Sequence, residues 1–359
     1  MEKKERLRLQ RELADWYRTA HRRLPWRENT DPYRVWVSEV MLQQTRVETV
    51  IPYYQRFMER FPTLKSLADA DGETLMKLWE GLGYYSRARN LWQSARILCR
   101  DYGGRLPGTR EELIRLPGIG DYIAAAVLSI AFQQPAAVVD GNVKRILARL
   151  FMEKAAVNDP GAKQTFTALA EGLLDERNPG QFNQAMMELG QRICTPGVPD
   201  CPVCPIRSGC RAFRNQMTDD YPRRLRKKST PLKKMIFAVV MRGECLLILR
   251  RPDQGLLGGL WEFPGNEPEG NGAGEEMARA IIHRQTGIRA DVLRLLGTVR
   301  HAYTHFRISA DVYLCGHLSG EVGLNGHTAH LWVRPEKLRE YALHKMIHKM
   351  LPLLPPHPP

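Results

Sequence analysis

The sequence predicts a multidomain protein, an all-α module followed by a smaller α+β module, and three observations predict it. Apolar residues recur at helical spacing through roughly the first 215 residues. Residues 219–234 then turn polar and rich in Arg, Lys and Pro, the composition of a linker. From Ile236 onward, short β-rich runs replace the helical period. A chain of 359 residues has room for two or three domains at about 100–200 residues each.

The helical period is carried by residues 7–17, 35–41, 75–79, 91–98, 123–131 and 143–150. Turn signals part these stretches at Pro62, Gly81-Leu82-Gly83, Gly103-Gly104, Pro117-Gly118, Pro135 and Pro179-Gly180. In the second module, residues 236–241, 245–249, 293–299, 308–315 and 331–333 are expected strands. Residues 275–286 are an expected helix and 335–341 a shorter one. The resulting division is a helical domain at 1–218, a basic linker at 219–234, an α+β domain at 235–352 and a disordered tail at 353–359. Within the first domain, about residues 30–138 form a six-helix module, and the N-terminal segment joins 139–218 in a second.

Hydrophobic residues at 43% and charged residues at 26% exclude wholesale disorder, a collagen-like chain and a coiled coil. The longest apolar runs, such as 124–130, fall far short of the ~20 residues that span a membrane. The N-terminus is charged and lacks a signal-peptide core. A soluble, cytoplasmic protein is expected (nucleoid-associated if bacterial), and a monomer. The formal charge of +14 favours a polyanionic partner, nucleic acid first. Arg223, Arg224, Arg226, Lys227 and Lys228 in the linker could touch phosphates, or form a solvated charge run. Seven cysteines, an odd number without a secretion signal, argue for reduced thiols.

Leu116-Pro117-Gly118-Ile119-Gly120 lies between two helical patterns. Pro117 can end the first helix, and Gly118 and Gly120 allow a tight turn with close backbone approach. The next helix then presents N–H groups at its start, suited to a phosphate that positions a duplex without reading it. Leu116, Gly118 and Gly120 are candidate phosphate contacts on this reading; a plain inter-helix turn is the alternative. Further on, an apolar run ends in Val139-Asp140-Gly141-Asn142 ahead of a helix, and taken alone Asp140 is a helix N-cap. Four cysteines form the compact series Cys194-x6-Cys201-x2-Cys204-x5-Cys210. Such a tetrathiolate could hold zinc or an iron–sulfur cluster. Cys99, Cys245 and Cys315 stand alone as packing residues.

Hairpin, apolar run and Val-Asp-Gly-Asn together resemble the helix-hairpin-helix superfamily of DNA glycosylases, and within it the MutY-type adenine DNA glycosylases. The resemblance continues through Leu24-Pro25-Trp26-Arg27, Asp31-Pro32-Tyr33, Ser38-Glu39-Val40-Met41-Leu42-Gln43-Gln44-Thr45, Gly81-Leu82-Gly83-Tyr84-Tyr85-Ser86-Arg87-Ala88-Arg89-Asn90 and Phe182-Asn183-Gln184-Ala185-Met186-Met187-Glu188-Leu189-Gly190. Cleaving a purine from deoxyribose needs a protonated leaving base and a stabilised oxocarbenium ion, and two carboxyls of different pKa supply both. The resemblance implies that Glu39 protonates adenine N7 and activates water. Helical period alone puts Glu39 on the wet face of an amphipathic helix, whereas burial would raise its pKa into a useful range. Asp140 would stabilise the sugar cation or attack its C1′, kept ionised by its N-cap position, with Asn142 orienting it or the water.

Bifunctional relatives such as endonuclease III carry a nucleophilic Lys where this chain has Tyr122, and a phenol cannot form a Schiff base. The resemblance therefore implies a monofunctional glycosylase; Lys144, near Asp140, is a weak candidate for the missing amine, with a solvated side chain as its plainer reading. Gln44 and Tyr84 match residues that wedge into the duplex as the base leaves the stack; a polar helix end and core packing are their plain alternatives. Arg22, Leu24, Trp26, Arg27, Gln184 and Glu188 match or neighbour the adenine pocket. The Gln184 amide can bond the adenine edge bidentately, while Trp26 by itself is a core residue. Cys194, Cys201, Cys204 and Cys210 match the loop that holds a 4Fe–4S cluster, flanked here by Arg192, Arg207, Arg211 and Arg214, which could grip phosphates.

Gly258-Gly259-Leu260-Trp261-Glu262-Phe263-Pro264-Gly265 resembles the entry to a Nudix fold. A Nudix hydrolase needs clustered carboxylates on the following helix to hold Mg²⁺. Residues 278–287 lack its Arg-Glu and Glu-Glu pairs, so the hydrolase site is expected to be absent. That fits the MutY C-terminal domain, which recognises 8-oxoguanine with a Phe-Ser-His loop. Tyr303-Thr304-His305 matches that loop, keeping a ring and a hydroxyl, although a simple β-turn is the alternative. His301 and His305 as zinc ligands lack a supporting cluster. The expected function is removal of adenine opposite 8-oxoguanine or guanine in double-stranded DNA. The competing classes are a noncatalytic lesion-binding or redox iron–sulfur protein, a glycosylase/lyase and a nucleotide-pool hydrolase.

Overall fold

The computed structural model describes residues 1–226, 229–269, 274–303 and 305–355. The chain forms two compact units, one of residues 1–69 and 90–227, the other of 70–89 and 228–359. The sequence reading kept residues 70–89 in the helical domain; the structure groups them with the C-terminal part. No helix among the described residues is long and apolar enough to cross a membrane.

In chain order the helices before the first strand are α1 (Lys3–Ala20), α2 (Pro32–Leu42), α3 (Val47–Arg60), α4 (Leu64–Ala68), α5 (Gly72–Trp79), α6 (Ser86–Asp101), α7 (Arg110–Leu113), α8 (Asp121–Ile130), α9 (Gly141–Phe151), α10 (Lys163–Leu173), α11 (Pro179–Arg192) and α12 (Arg211–Arg214). Each expected helical stretch falls in one of them, the stretch at 123–131 running one residue past α8. In the first unit α2 packs on α8 and α3, and α11 packs on α1, α8 and α9. The sequence reading missed α11 as a helix because its inward face includes polar residues. Asn183 is buried since its Oδ1 accepts from Val138 N–H at 3.1 Å and its Nδ2 donates to Ala136 O at 2.7 Å.

The start of the expected linker is tied down. Val157 N–H donates to Arg223 O at 3.0 Å, Asn158 exchanges two hydrogen bonds with the Leu225 backbone, and Tyr221 is buried. Lys227 and Lys228 lie outside the described residues.

The second unit carries β1 (Leu232–Arg242), β2 (Cys245–Arg250), β3 (Trp261–Glu262), β4 (Gly265–Asn266), α13 (Gly274–Thr286), β5 (Arg289–Ala302), β6 (Arg307–Ser319), β7 (Ala329–Val333) and α14 (Lys345–Met350). The sheet runs β3-β2-β1-β6-β5, with β4 on β1 and β7 on β2. β1 and β6 are parallel and the other pairs antiparallel. Strand alternation sends Ile236, Ala238 and Val240 into a core with Ile281 and Ile282 of α13. Phe237, Val239 and Met241 face a second core with Met346, Ile347 and Met350 of α14. Burial on both faces explains why β1 is a continuous apolar run rather than an alternating one. The expected strands lie inside β1, β2, β5, β6 and β7, while the two-residue strands β3 and β4 and helix α14 were not read. The expected tail begins inside this fold, because Leu353 and Leu354 pack on the α14 core. Residues 356–359 lie outside the described residues.

Candidate active site

Asp31 starts α2, accepting from Arg34 N–H at 2.9 Å with Pro32 at the first helical position. Almost every side chain of α2 from Tyr33 to Met41 is buried, so it has no wet face for Glu39 to occupy. Glu39 sits inside, where Tyr122 Oη of α8 donates to its Oε2 at 2.5 Å. Burial pushes the Glu39 carboxyl up to about 7; the Tyr122 bond and Arg27 pull it down, and the Asp140 charge pushes it further up. Tyr122 is held far above the ordinary phenol value, by burial first and then by the Glu39 and Asp140 charges.

Asp140 caps α9 and accepts from Val143 N–H and Asn142 Nδ2, both at 2.7 Å. Its cap position was expected to keep it ionised. Those two bonds do favour the carboxylate, but burial outweighs them and the pKa is raised. Asn142 in turn accepts from Arg145 Nη2 at 2.9 Å. The sequence reading missed Arg145 and Arg149. Both are buried on α9, and their signal was two arginines four apart among the apolar residues Val143, Ile146, Leu147, Ala148 and Leu150. Arg145 also donates to the carbonyls of Cys194 and Gly190, each at 2.7 Å. Arg149 Nη1 lies 3.4 Å from Cys194 Sγ and donates to Thr195 O at 2.9 Å. Lys144, read as solvated, is half-buried and donates to Val157 O at 3.4 Å, its ammonium lying over Phe166.

A second cluster gathers at α11. Glu188 has a fully buried side chain and meets Arg22 Nε at 2.8 Å and Arg27 Nη2 at 3.0 Å. Burial would raise its carboxyl, but the Arg22 hydrogen bond and the Arg27 charge leave it lowered, an ionised glutamate. Gln184 Oε1 accepts from Tyr17 Oη at 2.6 Å, a partner not found from sequence, leaving its amide donors and a lone pair for a ligand. Leu24 and Trp26 are buried, with the Trp26 ring edge-on to Tyr54 at 5.4 Å.

In the hairpin, Gly118 has φ +78, and a Cβ there would sit 2.7 Å from Asn90 Cβ, so the turn requires glycine twice over. Gly120 is the extended N-cap of α8 with open space before it. Leu116 turns its side chain into the core and donates its N–H to Leu113 O at 3.1 Å, so it shapes the turn rather than offering an amide. Gln44 (φ +58) and Tyr84 (φ +49) are both exposed and hold a left-handed backbone that side chains other than glycine rarely adopt.

Cys194, Cys201, Cys204 and Cys210 are free, half-buried thiols. Burial first pushes Cys204 up to about 12, and the charges of Cys194, Cys210 and Cys201 add to the shift, so the four sulfurs lie within electrostatic reach of one another. Among the described residues no three His, Cys, Asp or Glu close around a single ion. Four thiols in one short loop are a donor set of the kind that holds zinc or an iron–sulfur cluster. Of the flanking arginines, Arg207 donates to Pro202 O at 2.6 Å and Arg192 lies 3.8 Å from Glu188.

In the second unit, Tyr303 N–H donates to Phe306 O at 2.9 Å and its ring stands edge-on to His301 at 4.5 Å. Its hydroxyl is buried with no hydrogen-bond partner among the described residues. His305 is exposed, and Thr304 lies outside the described residues. On α13, Gln285 exchanges two hydrogen bonds with the Gly265 backbone, at 3.0 and 3.1 Å, where a hydrolase would need carboxylates. Glu262 is also fully enclosed, with His327 Nε2 and His344 Nε2 each at 3.2 Å and Arg251 Nη1 at 2.7 Å.

Comparison with known proteins matches residues 37–173 to the HhH-GPD superfamily of base excision DNA repair proteins and residues 235–353 to the NUDIX domain. The chain is 36% identical over 404 residues to a rat adenine DNA glycosylase, covering 97% of this chain and 78% of the relative. Against its human counterpart it is 37% identical over 360 residues, covering 84% and 65%. Among solved structures, a thermostable thymine-DNA glycosylase superposes with a TM-score of 0.54 at 29% identity, covering 59% of this chain and 98% of the other. An endonuclease III trapped as a covalent intermediate on DNA gives 0.51 at 26%, covering 60% and 100%.

Proposed function

The chain belongs to the adenine DNA glycosylases of the HhH-GPD superfamily, and on that premise we propose that it hydrolyses the N-glycosidic bond of adenine mispaired with 8-oxoguanine or guanine in duplex DNA. The observation that carries the reading is Glu39, a buried carboxyl pushed up to about 7 and facing Tyr122 in the field of Asp140. Near neutral pH such a group is poised between acid and base.

In the proposed reaction the flipped adenine enters beside Glu39, and the protonated carboxyl gives its proton to N7. The C1′–N9 bond breaks, its electron pair leaving with the base. Asp140 stabilises the sugar cation at C1′, held in place by Val143 N–H and Asn142. Water adds to C1′ and loses its proton to the Glu39 carboxylate, which leaves an abasic site and restores the acid. Tyr122 offers a hydroxyl where a lyase needs an amine, so the sugar–phosphate backbone stays intact. Gln184, with Glu188, Arg22 and Arg27 around it, binds the adenine edge; Gly118 and Gly120 approach a phosphate; Gln44 and Tyr84 wedge the duplex. The second unit reads 8-oxoguanine with Tyr303, Thr304 and His305.

Cys194, Cys201, Cys204 and Cys210 would hold a 4Fe–4S cluster, which when bound ties the four thiolates of the loop together. Through Arg145 and Asn142 that loop is linked to Asp140.

The test is a single-turnover assay on a duplex with one adenine opposite 8-oxoguanine, with and without alkali, for wild type and Glu39→Gln. Strand breaks that need alkali and vanish in the variant support the reading. Breaks without alkali establish a lyase, and tight lesion-selective binding without product establishes a recognition protein.

A further inference from the structure

Tyr84 stands in a turn whose backbone is left-handed at Gly81 (φ +91), Gly83 (φ +77) and Tyr84 (φ +49). Such a turn persists only if its surroundings hold it. Part of the hold is local: Gly81 N–H donates to Tyr85 Oη at 3.1 Å, and Trp79 Nε1 and Arg87 Nη2 each donate to Gly83 O at 3.1 Å. Further bonds come from the other end of the sequence. Just before the turn, Glu80 Oε1 accepts from Leu343 N–H and faces His348 Nε2, both at 2.8 Å. Lys77 pairs with Glu80 at 2.5 Å and donates to Tyr341 O at 3.1 Å. Just after it, Arg89 Nη1 donates to Gly258 O at 2.6 Å.

His348 lies on α14, and that helix also reaches the lesion loop. Lys349 donates to Arg300 O of β5 at 2.8 Å, and Met346, Ile347 and Met350 share a core with Val299, Tyr303 and Phe306. The Tyr84 turn and the Tyr303 loop are thus fastened to one short helix.

We propose that Glu80 and His348 are positioning residues that fix the Tyr84 wedge to α14, so that the wedge is set by the same body that carries the lesion-reading loop. The inference rests on the proposed roles of Tyr84 and Tyr303. It assigns neither residue to the chemistry at Glu39.

The experiment uses the full chain and a duplex carrying 2-aminopurine next to 8-oxoguanine, whose fluorescence rises when a side chain unstacks it. Wild type should give a rise that Tyr84→Ala lacks. His348→Ala and Glu80→Gln should each reduce that rise about tenfold, the loss of one charge-assisted bond. The double variant should lose no more than the worse single, as coupled partners do. His348 is a third exposed, so its truncation leaves the core intact, and thermal melts of each variant verify folding. A full rise in both folded single variants, with Tyr84→Ala still lacking it, overturns the inference and leaves the wedge reading standing. A full rise in Tyr84→Ala overturns both.

Discussion

Glu39 and Glu262, two of the enclosed glutamates, end at opposite poles. Glu39, in the helical unit, is pushed up to about 7; Glu262, in the sheet unit, is held at about 2. Burial raises both. The difference lies in what surrounds them. Glu262 has His327, His344 and Arg251 at hydrogen-bonding distance, cationic or able to become so, and they outweigh its desolvation. Glu39 is hydrogen-bonded to one neutral hydroxyl and has a second carboxylate in its field, with the Arg27 charge the smallest of the influences on it. A buried acid hydrogen-bonded to cationic groups is a structural anion; one with only a distant cation keeps a proton that it can give away.

The largest expected effect separates the pair by activity. Glu39→Gln should slow adenine release by about 10²–10⁴-fold, the range for loss of a general acid. Its thermal midpoint above pH 7 should hold or rise, because the variant removes a carboxyl that is costly to ionise. The folded pKa is raised, so the favourable contribution of Glu39 is complete below about pH 4.5 and lost as pH rises through about 7. A midpoint that drops sharply would make Glu39 a structural anion after all.

Glu262→Gln should behave the other way, lowering stability by about 3–5 kcal/mol through the buried charges it leaves unmatched. Denaturant unfolding of the full chain reads this, and a loss within error would break the contrast. Here the folded pKa is depressed. The stabilisation from Glu262 is present above about pH 4.5 and fades as pH falls toward about 2.

Next in size is the pH profile of the excision step, which should fall as pH rises through about 7 and Glu39 loses its proton. Its absence under single-turnover conditions would separate the rate from Glu39 ionisation. The smallest effect sharpens the cause. Tyr122→Phe removes the hydrogen bond that lowers Glu39, so the falling limb should move to higher pH with the plateau rate reduced only modestly.

The same contrast explains what could be read from sequence. Asp140 as an N-cap was legible, because a cap is local chemistry and the chain announces it. The burial of Glu39 was not, since α2 is enclosed all round and its apolar residues show no single face. Arg145, Tyr17 and Glu262 were missed because their partners lie far away along the chain. The strands were legible where apolar runs were long. The two-residue strands β3 and β4 were not, being defined by pairing rather than by pattern. The grouping of residues 70–89 with the C-terminal part was invisible for a related reason: helical period identifies a helix but not the body it joins.

The parallel ladder between β1 and β6 carries a consequence for biogenesis. β1 lies at the centre of the order β3-β2-β1-β6-β5, apolar on both faces, yet its parallel neighbour runs from Arg307 to Ser319. On a growing chain β1 emerges long before that neighbour and waits with a bare ladder edge and two greasy faces. Closing a pairing so distant along the chain is slow. Nascent chains that end before β6 should therefore be the aggregation-prone species of this protein, and the interval between synthesis of the two strands is where a chaperone would matter most.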